Sequence, residues 1–333
     1  MPTRNIIVIG GSAGAPGVLN ELVGGLPADL AASVFIVTHV PVHGAMLLAG
    51  LLGARTDLPV VYAQDCDPIQ PGRIVIAPPD HHLLLTEDRV RLGVGPRENL
   101  SRPAIDALFR SAALAHGSRV IGVVLTGMLN DGAAGLFAIK QVGGATIVQD
   151  PATAFAPDMP KAAITAASPD HVVATEEIPA LITTLSREEA PMGRPPSPQL
   201  HIEVETAAGA SLGSRRLMEI ATPSPLSCPQ CHGVLSEIKG DGPLRYRCQV
   251  GHAYSAEIVD EQQESAIESA MTVALRVIEE RVTLVTRLIE DANAQGNTAA
   301  AELHELRLED YKEQAEILRR ALARVIERRQ FEA

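Results

Sequence analysis

Three residue types that together can hydrolyse an ester or amide recur where buried strands should end. Ile6-Ile7-Val8-Ile9 is a run of β-branched residues, followed at once by Gly10-Gly11-Ser12-Ala13-Gly14-Ala15. Such a run reads as a strand buried on both faces, and the amphipathic stretch after Pro16 as a helix. Ser12 therefore stands at a strand-to-helix turn. A serine hydroxyl is a weak nucleophile at neutral pH; it needs a base, and the base needs a third group to fix its tautomer. In an open α/β sheet these partners belong at the carboxyl ends of strands. Val34-Phe35-Ile36-Val37-Thr38 ends at His39-Val40-Pro41, and Val120–Leu125 ends at Thr126-Gly127-Met128-Leu129-Asn130-Asp131-Gly132. The helix N-terminus after Ser12 also offers a favourable dipole for a developing oxyanion.

Each residue has a plainer reading. A small-residue turn after a first strand is often a phosphate loop. Here the glycine expected two positions after Gly10 is Ser12, the last small position is Ala15, and no Lys-Ser/Thr pair follows. His39 alone reads equally as a capping or packing residue, and Asp131 alone as a helix N-cap. It is their combination at three strand ends that points to hydrolysis.

A second cluster lies far along the chain. Cys228-Pro229-Gln230-Cys231 is followed, after 16 residues, by Cys248-Gln249-Val250-Gly251-His252. Val234–Ile238 and Leu244–Arg247 flank Lys239-Gly240-Asp241-Gly242, a hairpin with one ligand pair before it and one after. Cys228, Cys231, Cys248 and His252 make a Cys₃His set suited to structural Zn²⁺; four protein ligands leave no open catalytic position. Buried thiols or a Cys228–Cys231 redox pair are the alternatives, though a redox pair leaves Cys248 and His252 unexplained. His232 competes as a ligand but sits beside Cys231, and Cys66 stands alone. A unit of about 30 residues needs such a metal to hold together. It is expected to act apart from the serine domain, so that chelation unfolds it while turnover persists.

The elements that must position these groups follow from the pattern. Strand candidates are Ile6–Ile9, Val34–Thr38, Val60–Ala63, Arg73–Ala77, Val120–Leu125, Ala145–Val148 and His171–Ala174. Helical patterns fall near 16–25, 44–54, 103–115, 133–142 and 158–166. Their alternation predicts an α/β fold: a doubly wound, mostly parallel sheet. Residues 73–92 read as a β-hairpin excursion. The expected domains are 1–190, a Pro-rich linker at 191–225 with a short strand at His201–Glu205, the zinc-ribbon-like unit at 226–256, and a helical hairpin at 257–333. In that last region Ile267, Met271, Ala274, Ile278, Val282, Val285 and Ile289 share one helical face, as do Leu308, Tyr311, Ala315, Leu318, Leu322 and Val325. Gly296 and Asn297 or Thr298 mark the break. The two helices form an antiparallel hairpin or contribute to a homodimeric bundle.

Composition excludes several classes. The chain has 333 residues, enough for two or three domains, and lacks tryptophan, so its core is aliphatic. The net charge of −12 is spread over both halves with no basic stripe, which argues against nucleic acid as a partner. No apolar run suits membrane insertion and no signal peptide is visible. The expected location is cytoplasmic, where cysteines serve as metal ligands rather than disulfides.

At this point the sequence resembles the catalytic domain of the CheB-type chemotaxis protein-glutamate methylesterases. The matching stretches run in order over about residues 4–185: Ile9–Gly14, His39-Val40-Pro41, Ile76–His82, Ser101–Phe109, Leu125–Ala133, Gln149-Asp150-Pro151 and Met159–Ile164. The resemblance implies a serine esterase with Ser12 as nucleophile, His39 as general base and Asp131 as orienting carboxylate. The backbone N–H groups of Ala13 and Met128 match the oxyanion hole, and catalysis needs no cofactor. The implied reaction is hydrolysis of glutamate γ-methyl esters on methyl-accepting chemoreceptors, with glutamine deamidation as a second activity. Two positions depart from the pattern: Ala13 replaces a frequent threonine, and Leu129 replaces the usual glycine. The family's familiar receiver domain would precede the esterase, whose first strand here starts near residue 5. Control is then expected from another chain (a separate regulator or a methyltransferase), from localisation or from the C-terminal region, unless the enzyme is constitutive. A non-enzymatic chemosensory scaffold and a serine hydrolase acting on another ester or amide are the competing readings.

Overall fold

The structure is a computed structural model that describes residues 2–39 and 46–332, with side chains described to residue 327. Val40-Pro41 of the expected motif, and the start of the helix expected from residue 44, lie outside the described residues. The chain divides into two compact units, Met1–Val259 and Asp260–Ala333.

The first unit opens with β1 (Ile6–Gly11), α1 (Ala15–Gly24), β2 (Ser33–Thr38), α2 (Leu48–Gly53), β3 (Val60–Tyr62) and β4 (Arg73–Ile76). A separate antiparallel hairpin follows, β5 (His82–Leu85) and β6 (Val90–Gly93). Then come α3 (Ile105–His116), β7 (Val120–Val124), α4 (Ala133–Gln141), β8 (Ala145–Gln149), α5 (Asp158–Ala167), β9 (His171–Val173) and α6 (Ile178–Arg187). The main sheet has seven strands in the order β3-β4-β2-β1-β7-β8-β9, all pairs parallel.

The aliphatic runs explain this sheet. Alternate residues of β1 feed two cores: Ile6 and Val8 pack on one face with α3, α4 and α5, while Ile7 and Ile9 pack on the other with α1 and α6. A strand covered on both faces must be apolar at every position. The chain leaves β1 first toward β2 and later returns on its other side as β7. This places the switch in strand order, where such sheets form their crevice, at the carboxyl end of β1. Gly10 lets α3 reach that end, because a Cβ there would lie 2.1 Å from the Ile105 side chain.

The stretch expected as a linker is folded instead. It carries α7 (Pro198–Ala207), α8 (Gly213–Ile220) and β10 (Ala221–Ser227). The strand expected at His201–Glu205 is helical because Ser197 caps it, accepting from Leu200 N at 3.2 Å, and Pro198 fits its first turn. The apparent alternation is a helix face on which Leu200, Glu203, Thr206 and Ala207 are buried. β11 (Val234–Ile238), β12 (Arg245–Cys248) and β13 (Ala253–Ser255) join β10 in a four-stranded antiparallel sheet. This small sheet packs within the same compact unit as the parallel one.

α9 (Ala256–Ala294) leads into the second unit and α10 (Thr298–Glu332) completes it. Gly296 turns with φ 69°, and Asn297 Oδ1 accepts from Ala300 N at 3.1 Å. Pairs Arg281–Tyr311 at 3.1 Å and Glu279–Arg319 at 2.9 Å show the helices running antiparallel. Met271, Leu275, Ile278, Val282, Val285, Ile289 and Ala292 face inward. That 3.5-residue repeat leaves Ile267 and Ala274, both expected inside, exposed. No helix among the described residues is long and apolar enough to cross a membrane.

Candidate active site

Ser12 follows the last residue of β1, and its backbone N–H donates to Thr126 O at 2.9 Å. Gly14, with φ 78°, turns the chain into α1. His39 follows the last residue of β2. Its Nδ1 lies 3.1 Å from Ser12 Oγ, and its Nε2 lies 2.8 Å from Asp131 Oδ2. The three strand-end residues therefore form one hydrogen-bonded chain. An ionised carboxylate only accepts, so the proton of a neutral His39 ring sits on Nε2 and the Nδ1 lone pair faces the serine hydroxyl. This arrangement can take the proton from Ser12 Oγ.

Asp131 is buried beyond the end of β7 and is strongly held. Oδ2 also accepts from Ile105 N at 2.7 Å; Oδ1 accepts from Asp106 N at 3.2 Å, Gly132 N at 3.0 Å and Asn99 Nδ2 at 3.0 Å. Ile105 and Asp106 open α3, whose N-cap Ala104 has no side chain to offer, so Asp131 caps that helix from outside. Burial acts to raise its carboxyl, but the His39 contact and these N–H donors hold it below the usual carboxylate range. Its neighbour Asp106 is pushed up to about 7, by burial first and then by the Asp131 charge.

Facing Ser12 is the loop after β7. Gly127 passes so close that a Cβ would lie 2.0 Å from Met159 Sδ and 3.0 Å from Ser12 Cβ. Among the described residues, the backbone N–H groups of Ala13 and Met128 donate to no other protein group. Phe155, 81% exposed, packs over Gly14, and Met128 is 61% exposed, so the serine is bordered by exposed apolar side chains.

The CheB methylesterase family matches residues 7–182, the stretch that holds all of these groups. The chain belongs to the CheB methylesterase family. A protein named protein-glutamate methylesterase/protein-glutamine glutaminase 2 from Anaeromyxobacter dehalogenans is 41% identical over 182 residues, covering 55% of this chain and 53% of that protein. One of the same name from Rhodospirillum rubrum is 40% identical over 178 residues, 52% of this chain and 49% of its own length. The chain thus spans about half the length of these curated relatives. The crystal structure of the Thermotoga maritima CheB methylesterase catalytic domain superposes with a TM-score of 0.53 at 34% identity, covering 54% of this chain and 98% of that domain.

Against this family background, Leu129 has a structural meaning. Its φ is 62°, in the left-handed region that favours glycine. The loop keeps the glycine conformation with a leucine in it.

Several supporting residues were not singled out by spacing. Thr126 Oγ1 donates to Ala13 O at 2.9 Å and accepts from Ala156 N at 2.8 Å, while Gln149 Oε1 accepts from Thr126 N at 2.8 Å. Both Thr126 and Gln149 stand in strand-end motifs, which was the available signal. On the other side, Asn99 Nδ2 bridges Asp131 and Asp106, and Asn99 Oδ1 accepts from Ser255 N at 3.1 Å. Nothing in the sequence near Asn99 announces a partner 156 residues away.

Cys228, Cys231, Cys248 and His252 converge, their ligand atoms all within 4.8 Å of one another. Cys231 Sγ to Cys248 Sγ is 3.7 Å, Cys228 Sγ to His252 Nδ1 is 3.7 Å, and Cys248 Sγ to His252 Nδ1 is 3.5 Å. Metal–ligand bonds of about 2.1–2.3 Å in a tetrahedron give edges of about 3.5–3.8 Å, so the set fits a tetrahedral ion. His232 is not in this group; it turns with φ 58° and its N–H donates to Cys228 O at 2.8 Å. Cys66 is exposed and apart.

Charge joins this unit to the parallel-sheet part of the molecule. Glu98, Arg110, Glu203 and Arg247 are all buried. Arg110 pairs with Glu98, and Arg247 Nη2 bonds Glu98 Oε1 at 3.0 Å and Glu203 Oε1 at 3.3 Å. Burial acts to raise the Glu98 carboxyl, but the Arg110 and Arg247 guanidiniums outweigh it and hold it below its usual range. A cavity of about 370 Å³ lies behind Asp131, lined by Asn99, Asp106, Asn130, Ser255 and Glu257 among others.

Proposed function

We propose that this chain is a serine esterase that hydrolyses glutamate γ-methyl esters on chemoreceptors. The observation that carries the reading is the continuous Ser12 Oγ, His39 Nδ1, His39 Nε2, Asp131 hydrogen-bond chain, with links of 3.1 Å and 2.8 Å, within a CheB-family domain. Ser12 Oγ attacks the ester carbonyl as His39 takes its proton, and Asp131 steadies the imidazolium. The N–H groups of Ala13 and Met128, free of other protein partners among the described residues, receive the oxyanion. One such donor is worth roughly 10²–10³ in rate. Collapse breaks the ester C–O bond, and the proton on His39 leaves with methanol. Water, deprotonated by His39, then cleaves the acyl-enzyme and releases glutamate and Ser12. Glutamine deamidation follows the same route with ammonia leaving. No cofactor takes part.

Two further features support a substrate carried on a protein. Among the described residues, the exposed side chains of Phe155 and Met128 border the serine, which suits an ester presented on a receptor helix. The relatives named above carry the receptor-modifying activities in their names. The cysteine–histidine set holds a structural Zn²⁺ through thiolates that a reducing cytoplasm keeps from forming disulfides.

The test is methanol release from methylated receptor by the wild type and by Ser12→Ala. Release by the wild type that falls at least about 10⁴-fold in the variant is expected. Equal release by both would remove Ser12 from the chemistry, and no release by either would remove the substrate.

A further inference from the structure

We infer that the metal-held unit positions Asp131, so that metal occupancy at Cys228, Cys231, Cys248 and His252 controls the hydrogen bond between Asp131 and His39. The inference rests on the roles proposed above for these residues. Ligand His252 is followed directly by β13, and β13 lies along the segment that supports Asp131. Asn99 N donates to Ala253 O at 2.8 Å, and Ala253 N donates to Arg97 O at 3.4 Å. Two residues further, Ser255 acts twice. Its N–H donates to Asn99 Oδ1 at 3.1 Å, and its Oγ donates to Asn130 Oδ1 at 2.8 Å.

These two bonds fix which way two amides face. With its oxygen engaged by Ser255, Asn99 must present its NH₂ to Asp131 and Asp106; turned over, it would set an oxygen against two carboxyl groups. Asn130, the residue before Asp131, likewise gives its oxygen to Ser255 and its NH₂ to Glu257 at 2.6 Å. Asp131 is thus supported by two asparagines, Asn99 on its carboxylate and Asn130 before it in the chain, both oriented from beyond the family-matched residues.

A second route ties the same parts together. Arg247 precedes ligand Cys248; its Nη1 donates to Gly251 O at 2.8 Å, inside the Cys248–His252 turn, and its Nη2 reaches Glu98. Glu98 adjoins Asn99. Asn99 and Leu100 both have positive φ, 48° and 65°, conformations that persist for such residues only when their surroundings hold them. The supporting unit has a small apolar core: Cys228, Leu235, Cys248, Tyr254, Ile258 and Val259. Two of these six are ligands, so loss of the metal loosens the turn that feeds β13.

The experiment uses the full chain labelled with ¹⁵N-histidine, loaded with Zn²⁺ or stripped of it by chelation, with metal content and far-UV circular dichroism recorded. His39 signals are assigned by loss in His39→Gln. The loaded protein should show the tautomer protonated on Nε2. Stripping should convert this to a tautomer mixture and lower kcat about tenfold with KM unchanged, and added Zn²⁺ should restore both. Asn99→Gly tolerates the positive φ and leaves the metal ligands intact. When metal-loaded it should reproduce the tautomer change and the fall in kcat, and Ser255→Ala should give a smaller fall of two- to fivefold. A stripped protein that keeps its circular dichroism, its Nε2 tautomer and its kcat overturns the inference. If stripping unfolds the sheet, loaded Asn99→Gly decides, and a wild-type His39 pattern there overturns it. The tautomer is read without any receptor, so a metal-dependent His39 pattern with no methanol release fails the substrate reading alone. An Nε2 proton absent from the loaded wild type removes both.

Discussion

At the Ser12 end of the hydrogen-bonded chain, neutral groups do the holding. Thr126, Gln149 and Ala156, all within the family-matched residues, pin the turn through backbone and hydroxyl contacts, and the half-buried serine lies beside exposed apolar side chains. At the Asp131 end the group is buried, charged and shared. Its carboxylate caps α3, touches Asn99 beside a second acid, and is backed by residues of β12 and β13 from the cysteine–histidine unit. In the proposed roles the nucleophile must meet a substrate, and Ser12 is held by local backbone. The acid must stay ionised in the interior, so it needs donors from wherever the fold can bring them.

The sharpest way to break this contrast is to change one group at each end. Asp131→Asn keeps the shape but turns an acceptor into a donor toward Nε2. The ring then flips tautomer and presents Nδ1–H to Ser12. A change of this kind in a serine triad typically costs about 10⁴ in rate. Thr126→Val removes the hydroxyl that bonds Ala13 O and Ala156 N, leaving a buried N–H unpaired at about 1–3 kcal/mol. Its kcat should fall only about tenfold, because β1 itself still aims Ser12. Methanol release at saturating substrate measures both. A Thr126→Val loss near that of Asp131→Asn would mean that the serine turn depends on its side-chain support as fully as the base depends on its acid.

The same division explains what could be read from the sequence. Ser12 and His39 each directly follow an apolar run that announces a strand, and Asp131 follows a third run by one short loop. The Cys₃His set announces itself by local spacing. Glu203 gave no such signal. It sits in an alternating stretch that resembles a strand, yet it is buried in a capped helix because Arg245 and Arg247, some 40 residues on, neutralise it. Asn99 and Ser255 are equally silent, since a polar residue acquires its role only from a partner brought close by folding. The unit around the cysteines looked independent for that reason. Its ligands are local, whereas its ties to the catalytic sheet are long-range charges and amides.

A second contrast between the two ends is their response to pH. The Asp131 end contains Asp106, which burial and the Asp131 charge push up to about 7 from an ordinary 3.8. The folded state therefore keeps a proton that the unfolded chain has released. This contribution is fully present below about pH 4 and is lost as pH rises toward 7. Asp131, Glu98 and Glu203 shift the opposite way, so their effects fall below their ordinary values of 3.8–4.5 and outside this window. His82 and His116, held below their ordinary 6.5 by burial, act the other way as pH rises toward 6.5. The Asp106 part, a fall in unfolding free energy on the order of a few kcal/mol between pH 5 and 8, is therefore read from urea titrations as the difference between the wild type and Asp106→Asn. Stability relative to the wild type should therefore rise with pH in Asp106→Asn. Its absolute stability is a separate matter, because the new amide faces the Asn99 NH₂. Equal slopes for the two proteins would show Asp106 ionised throughout, and the Asp131 end would then tolerate two adjacent charges.

The smallest expected effect lies where the two ends meet. Leu129 stands between Met128, which faces Ser12, and Asn130, which Ser255 holds. Its φ of 62° costs a non-glycine residue about 1–2 kcal/mol. Leu129 is only 37% exposed, so truncation also gives up the burial of most of its side chain. Leu129→Gly relieves the strain, while the freer unfolded chain returns about 0.5–1 kcal/mol of it. Strain relief is thus set against lost burial and a freer unfolded chain, and the thermal midpoint should move by no more than roughly 3 °C. Gly127 N still donates to Ala156 O and Met159 N to Gly127 O, both within 3.0 Å, so the Met128 N–H keeps its direction and kcat should change less than threefold. A lower midpoint would mean that the leucine side chain packs to advantage despite its strained backbone. A kcat loss beyond tenfold would mean that this side chain, rather than the backbone on either side, keeps the serine end and the acid end in register.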